Sequence, residues 1–239
     1  MLYEEEKENA DAIKSPWKGH KPKFLNADIV FCIDATRSMQ DWIDAAKSRS
    51  KQISEDSIQK YPKINFQFGV IFYRDPIDLG EEGKNEFFPL PSNIDELVSF
   101  MNTQSAEGCG DFPEDWVGAY DILLNKFAWR KDAAHAIIHI ADAPAHGDYW
   151  GGRGNYQEQG PLLMSKVHQI IQQDFFFSAV DINKGAHGTF EKIEYEYKQA
   201  RKNDLYSYHL FDPSNWRQDS QLSAGDVLQD VTECQISAF

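Results

Sequence analysis

Hydrophobic and polar positions follow two different periods along the chain. Short segments that are largely apolar, or that alternate apolar and polar side chains, have the pattern of β-strands. Such segments occur at 28–34, 64–73, 85–90, 134–142, 175–182 and 205–211. The first and fourth are largely apolar and end in an acid, which is typical of central strands buried on both faces. Pro89 favours an edge position for the third, because proline cannot donate to a sheet.

Longer amphipathic segments separate the strands and predict helices. They run from Met39 to about Lys60, from a Ser92 cap to about Asn102, over 115–127, from about Gln157 to Gln173, and over 188–203. Strand and helix alternate across nearly the whole core. This alternation predicts an α/β fold with a doubly wound, mostly parallel, Rossmann-like sheet and helices on both faces.

Three regions follow from this pattern. Residues 1–25 are polar and contain two prolines, so we expect an arm outside the core. Residues 26–212 form the predicted domain. Residues 213–239 are polar, and we expect a loosely packed tail.

Composition narrows the classes of partner. With 41% hydrophobic residues among 239, the chain is long enough to bury a full core. Its 38 acidic and 24 basic residues give a formal net charge of −14, which disfavours nucleic acid and anionic membrane surfaces. The chain lacks an apolar stretch of membrane-spanning length and an apolar N-terminal signal, so we expect a cytoplasmic protein. Three cysteines without a close pair indicate neither a disulfide framework nor a zinc site.

Acids and hydroxyls stand at the ends of the predicted strands. Asp34 ends the first strand and is followed by Thr36 and Ser38, Asp142 ends the fourth, and Asp111 lies in the loop between them. Ligands of open α/β sheets bind outside the carboxyl ends of strands, so these side chains can meet at one edge. Five oxygen ligands without sulfur or imidazole favour a hard cation, Mg²⁺ first, with Mn²⁺ or Ca²⁺ in its place.

The same residues also have a purely local interpretation. Asp, Thr and Ser are favoured in turns and at helix starts, so Asp34, Thr36 and Ser38 can simply cap the next helix. Asp111 with Glu114 three residues later fits a capping box. Spacing alone leaves both interpretations open.

Four segments, in order, resemble a known family. "DIVFCIDATRSM" resembles the start of a von Willebrand factor A domain, whose metal-ion-dependent adhesion site has a D-x-[ST]-x-S motif, matched by Asp34, Thr36 and Ser38. "FGVIFYRDPID", "GCGDFPEDWVGAY" and "HIADAPAHG" are similar to segments of the intracellular A domains of alpha-kinase-type proteins. The resemblance covers roughly residues 25–212. No phosphate-binding glycine loop of a kinase is visible in the sequence.

The resemblance implies a six-stranded sheet with one antiparallel edge strand and a magnesium site at its top. By this analogy Thr36 and Ser38 bind the ion directly, while Asp34 and Asp142 bind it directly or through water. Asp111 departs from the family, which has a threonine there, and three acids against a divalent ion leave a charge of about −1. We therefore expect the site to be structural or to accept a neutral or water-bridged ligand.

Other residues are assigned around this site. Arg37 and Cys109 replace glycines of the family motifs, and together with His146 and Asp148 they are predicted to form a partner-binding rim. Arg74 is expected to pair with an acid and anchor a loop. His139, inside a strand, is expected to be a satisfied core residue.

The leading hypothesis is an intracellular protein-protein interaction module, not an enzyme, whose magnesium site holds another protein. An alternative is a structural subunit of a multi-subunit assembly, with a metal site that only holds loops together. A metal-dependent phosphohydrolase fits less well, because Thr36 stands where a second acid is expected two residues after Asp34.

Overall fold

The computed structural model describes residues 24–75, 85–90, 93–108, 112–153, 156–201, 207–213 and 223–238. Within these ranges strands and helices alternate as predicted. The strands are β1 (Asn26–Asp34), β2 (Asn65–Tyr73), β3 (Glu86–Phe88), β4 (Ala134–Ala141), β5 (Phe176–Asp181) and β6 (Tyr208–Phe211). The helices are α1 (Gln40–Lys60), α2 (Ile94–Asn102), α3 (Trp116–Asn125), α4 (Gln159–Gln172), α5 (His187–Ala200) and α6 (Ala224–Ser237).

The strands form one sheet in the order β3-β2-β1-β4-β5-β6. All neighbours are parallel except β3, which pairs antiparallel with β2 at the edge. The predicted sheet, with its single antiparallel edge strand, is therefore confirmed. The strand order reverses beside β1, because the chain builds β2 and β3 on one side and then β4 to β6 on the other. In a doubly wound sheet this reversal opens a crevice at the carboxyl ends of the two strands involved, here β1 and β4.

Alternate residues of β1 serve the two layers of helices. Ile29 and Ile33 pack into the core covered by α1, α2 and α6. Val30 and Cys32 face the other core, covered by α3, α4 and α5. Since both faces of the strand are buried, its largely apolar sequence is explained.

His139 is a satisfied core residue, as predicted. Its side chain is buried in the second core, and its two ring nitrogens lie 2.9 Å from the hydroxyls of Tyr73 and Tyr120. Burial lowers the pKa of His139 to about 3, so the ring stays neutral. A neutral imidazole carries one donor and one acceptor, which the two tyrosines satisfy.

The prediction of a loosely packed C-terminal tail is wrong for its described part. Residues 224–237 form α6, and Val227, Leu228 and Val231 are buried in the first core. Ser223 and Asp226 close a capping box at its start. Both signals are present in the sequence: Leu228 and Val231 follow Val227 by one and four residues, and the Ser-x-x-Asp pair precedes them. The polar composition of the region outweighs these signals in a prediction from sequence.

Two helix starts also differ from prediction. Asn93 caps α2 by accepting a hydrogen bond from the backbone N–H of Asp95, and Ser92 lies outside the described residues. Asp115 caps α3 by accepting from the N–H of Gly118 at 2.8 Å. The capping box proposed for the start of α3 was therefore placed too early in the sequence. The N-terminal arm predicted for residues 1–25 lies almost entirely outside the described residues.

Candidate functional site

The carboxyl ends of β1 and β4 lie side by side at the reversal of the strand order. The two strands pair in register from Ala27 with Ala134 to Ile33 with Ile140. Asp34 is the last residue of β1, and Asp142 directly follows β4. The topology thus brings these two acids, which are far apart in sequence, to one crevice.

Within the described residues, Asp34 is hydrogen-bonded through one of its two carboxylate oxygens. Its Oδ1 accepts hydrogen bonds from the Thr36 N–H at 2.9 Å and from the Thr36 hydroxyl at 2.7 Å. Its Oδ2 is buried and has no hydrogen-bond partner among the described residues. Burial, with the nearby Asp142 carboxylate, raises the pKa of Asp34 to about 7, against the opposing effects of Thr36 and Arg74. The interpretation of Asp34 as a local turn residue therefore explains the hydrogen bonds of Oδ1 and does not explain Oδ2.

Asp142 and Ser38 form the second half of the crevice. Asp142 is only partly buried, and burial raises the pKa of its carboxyl while a hydrogen bond from the Ser38 side chain opposes the shift. Ser38 itself is exposed and Thr36 is 4% exposed, so the two hydroxyls differ in access to solvent. The Thr36 hydroxyl is oriented by Asp34.

Gly185 is a contributor to the crevice that sequence reasoning missed. It lies in the turn between β5 and α5, where a Cβ atom would come within 1.7 Å of the Asp142 carbonyl oxygen. Its backbone is right-handed helical, so the contact, and not an unusual conformation, requires glycine. No local signal in the sequence reveals a contact made between two distant loops.

The predicted rim residues fall into three groups. Arg37 and Asp148 are exposed, as a partner-binding role requires. His146 is 1% exposed, and its Nε2 lies 2.8 Å from the buried Asp75 carboxylate, so its assignment to the rim is corrected. The loop after β4 folds inward at this residue because the acid at the end of β2 pairs with the imidazole. Asp111 and Cys109 lie outside the described residues, and their assignments remain predictions.

Arg74 pairs with an acid and anchors a loop, as predicted. It follows β2, its side chain is 4% exposed, and its Nη1 lies 3.5 Å from the Glu86 carboxylate. Its Nη2 donates to the Ser105 carbonyl at 2.8 Å. The anchored loop, residues 104–108, runs along the segment that follows β1.

The described side chains of the crevice fit a hard cation. They supply two carboxylates and two hydroxyls, all oxygen ligands of the kind that Mg²⁺, Mn²⁺ and Ca²⁺ prefer. The buried, unpaired Oδ2 of Asp34 is the strongest sign of an ion, because such an atom is costly without a partner. The described residues contain no group of three or more carboxylate, imidazole or thiol side chains suited to a metal ion.

Comparison with curated proteins finds one informative relative. The chain is 35% identical over 165 residues to the alpha-protein kinase vwkA of Dictyostelium discoideum. The match covers 66% of this chain and 26% of the kinase, so the chain spans about a quarter of that protein. No protein family model matches the chain.

Solved structures share the fold at low identity. Proximal thread matrix protein 1 from the mussel byssus, with a zinc-occupied MIDAS motif, superimposes with a TM-score of 0.52 at 14% identity, covering 89% of this chain and 45% of that protein. The pilus adhesin SpaC of Lactobacillus rhamnosus GG gives a TM-score of 0.56 at 13% identity, covering 91% and 30%. None of the described helices is both long and apolar enough to cross a membrane.

Proposed function

The chain carries a von Willebrand factor A-like domain, and from this premise we propose that it is a non-enzymatic protein-interaction module built on a divalent cation. Asp34, Thr36, Ser38 and Asp142 would hold the ion, and Mg²⁺ fits their oxygen chemistry best. The ion would supply a positive centre for an oxygen of the partner protein. The exposed Arg37 and Asp148 would contact that partner beside it.

The proposal rests on Oδ2 of Asp34, which has no hydrogen-bond partner in the described part of the chain. A buried carboxylate oxygen without a donor raises the free energy of the native state, and native proteins keep few such atoms. A cation in the crevice would neutralise both Asp34 and Asp142, whose mutual repulsion contributes to the raised pKa of Asp34. Asp111, predicted to be a further ligand, remains part of the proposal because of its place in the motif alone.

A hydrogen bond in the crevice prepares the Thr36 hydroxyl for an ion. The Thr36 hydroxyl donates its proton to Asp34 at 2.7 Å. A hydroxyl that donates its only proton to a carboxylate retains oxygen lone pairs for a cation. Asp34 would therefore orient a neutral ligand in addition to carrying charge.

Magnesium binding by calorimetry and thermal melting tests the site. The wild-type protein should release or absorb heat on titration with Mg²⁺, and its melting temperature should rise relative to chelator, because a ligand of the native state stabilises it. Asp34→Asn should lose both effects. Asp121→Asn is the charge-matched control, since Asp121 lies on α3 and pairs with Lys166 at the surface. A wild-type protein with neither heat nor a melting shift would contradict the proposal.

Affinity capture tests the interaction role. The wild-type chain is used as bait in Mg²⁺ and, separately, in chelator. A partner held through the ion should be present only in Mg²⁺ and absent with Asp34→Asn. A partner retained equally in chelator would instead favour the structural-subunit alternative, in which contacts are made away from the crevice.

A further inference from the structure

Residues 104–108 brace the backbone on both sides of Thr36. The Glu107 N–H donates to the Ala35 carbonyl at 2.9 Å, and the Arg37 N–H donates to the Gly108 carbonyl at 3.3 Å. Thr36 lies between these two bonded residues. The loop therefore fixes the backbone that determines where the Thr36 hydroxyl lies.

Arg74 holds this loop from the end of β2. Its guanidinium donates to the Ser105 carbonyl at 2.8 Å and lies 3.5 Å from the Gln104 side-chain oxygen. The side chain is 4% exposed, so these bonds are made away from solvent. The planar fork of arginine suits such paired bonds, which lysine cannot reproduce.

Gln40 holds the same loop from the first residue of α1. Its side-chain oxygen accepts from the Ala106 N–H at 2.9 Å, and its amide nitrogen donates to Asp44 at 2.9 Å. The bond to Asp44 lies within one face of α1 and fixes the orientation of the amide. Arg74 and Gln40 thus hydrogen-bond to adjacent residues of the loop, Ser105 and Ala106.

We propose that Arg74 and Gln40 are positioning residues of the cation site, which hold residues 104–108 against Ala35 and Arg37 and so orient Thr36. The inference rests on the proposed function and specifies how the crevice stays preformed. Groups that orient metal ligands commonly change metal affinity by about 10–100-fold when they are removed. Preorganisation matters here because an exposed loop would otherwise lose conformational entropy when the ion binds.

For removal of Arg74, the loss of its charge and the loss of its hold on the loop predict opposite changes in cation affinity. A positive charge near the crevice repels a cation, so its removal alone should strengthen cation binding once Asp34 is ionised. Loss of the loop anchor should weaken binding. Gln40 is neutral, and its removal leaves the charge of the site unchanged.

The experiment measures the Mg²⁺ dissociation constant of the full chain by calorimetry at about pH 8.5, where the Asp34 carboxyl is ionised. Gln40→Ala and Arg74→Met should each weaken binding by about tenfold or more. Arg74→Lys, which keeps the charge but not the fork, should remain weakened. Unfolding in chelator is measured for each variant to separate stability from affinity.

Two matched controls are available in the chain. Gln52 makes the same bond to a residue four positions later on α1, to Asp56 at 2.7 Å, so Gln52→Ala removes an equivalent side chain and should leave binding unchanged. Arg201 donates to the Ile171 carbonyl at 2.9 Å and pairs with Asp174. Arg201→Met should also leave binding unchanged, because it follows the end of α5 opposite the crevice.

The outcomes separate this inference from the proposed function. No Mg²⁺ binding by the wild type would overturn both. Wild-type binding that Gln40→Ala retains at full strength would overturn the positioning role alone. Variants that melt earlier by the same amount in Mg²⁺ and in chelator, with an unchanged dissociation constant, would show that the two residues act only on stability. If Arg74→Met does not fold, the milder Gln40→Ala decides.

Discussion

The two ends of β1 each carry a buried aspartate, and the two carboxylates differ in their hydrogen-bond partners. Asp28, near the start of the strand, is fully satisfied by Arg130, whose N–H donates to Oδ2 at 2.8 Å and whose Nε donates to Oδ1 at 2.7 Å. Asp34, at the end, is close to a second acid, and one of its oxygens has no hydrogen-bond partner among the described residues. Both side chains are 0% exposed, so burial alone does not distinguish them.

The difference lies in what completes each carboxylate. Arg130 also donates to the carbonyls of Ala27 and Asn65, and so ties β1 to β2 at the lower edge of the sheet. The protein itself supplies every partner that Asp28 needs. At the upper edge the neighbouring groups are hydroxyls and a second carboxylate, and this is where we propose that a cation binds. A buried acid is thus structural or functional according to whether its partners are already present.

Replacing each acid by its amide should change the free energy of unfolding by very different amounts. Asp28→Asn removes the counter-ion of Arg130, whose side chain is only 19% exposed, and should lower the free energy of unfolding by about 2 kcal/mol or more. Asp34→Asn in chelator should change it by less than about 1 kcal/mol, since the amide oxygen can still accept from Thr36 and no charge is left buried. Urea unfolding of both variants at about pH 8 measures the difference.

Magnesium provides the control for these two variants. Wild type and a surviving Asp28→Asn protein should both be stabilised by Mg²⁺, by about 2.7 kcal/mol at a hundredfold excess over the dissociation constant, whereas Asp34→Asn should not respond. Equal losses of stability in chelator would mean that Asp34 is as fully paired as Asp28, contrary to the comparison.

The sheet and the first residues of the crevice were predictable because their signals are local. A largely apolar strand that ends in Asp34, followed by hydroxyls at alternate positions, gives a pattern that nearby residues determine. The strand-end rule then brought Asp142 to the same edge. Arg130 was not singled out, because its bond to Asp28 joins residues 102 positions apart and leaves no periodic trace.

The positions that the sequence does not predict are those determined by tertiary contacts. His146 follows a strand end and looked exposed, but its pairing with Asp75 turns it inward. Gly185 likewise approaches Asp142 only in the folded chain. The same is true of Gln40 and Ala106, which are joined by a hydrogen bond. Sequence pattern therefore predicts which residue types reach the crevice, and packing determines how they are held there.

Adding a single methyl group at Gly185 tests whether the position of Asp142 matters for Mg²⁺ binding. In Gly185→Ala the new Cβ would overlap the Asp142 carbonyl, so the acid must move, at a cost of about 1–3 kcal/mol for overpacking. We expect weaker Mg²⁺ binding together with lower stability, measured by calorimetry and urea unfolding.

Gly188→Ala is the matched control for this variant. Gly188 lies in α5, and its nearest neighbour would be the Lys192 side chain at 3.8 Å. The substitution should leave Mg²⁺ affinity unchanged and stabilise the protein by about 0.5–1 kcal/mol, because alanine is the better helix former. Equal affinities for the two variants would show that Gly185 does not position Asp142.

The pH dependence of Mg²⁺ binding gives the smallest and most graded test. Because the folded pKa of Asp34 is raised to about 7, the metal-free native state holds a proton that the unfolded state has lost above about pH 4. The contribution of the Asp34 carboxyl to stability is therefore complete below about pH 4 and is lost as the pH rises through about 7.

Mg²⁺ must displace the proton on Asp34, so the affinity for Mg²⁺ should fall below about pH 7, by up to about tenfold per pH unit. Calorimetry in buffers of different ionisation heat counts the protons released. An affinity that stays constant between about pH 6 and 8 would mean that Asp34 is already ionised without the ion, and that its environment supplies the compensation that Arg130 gives to Asp28.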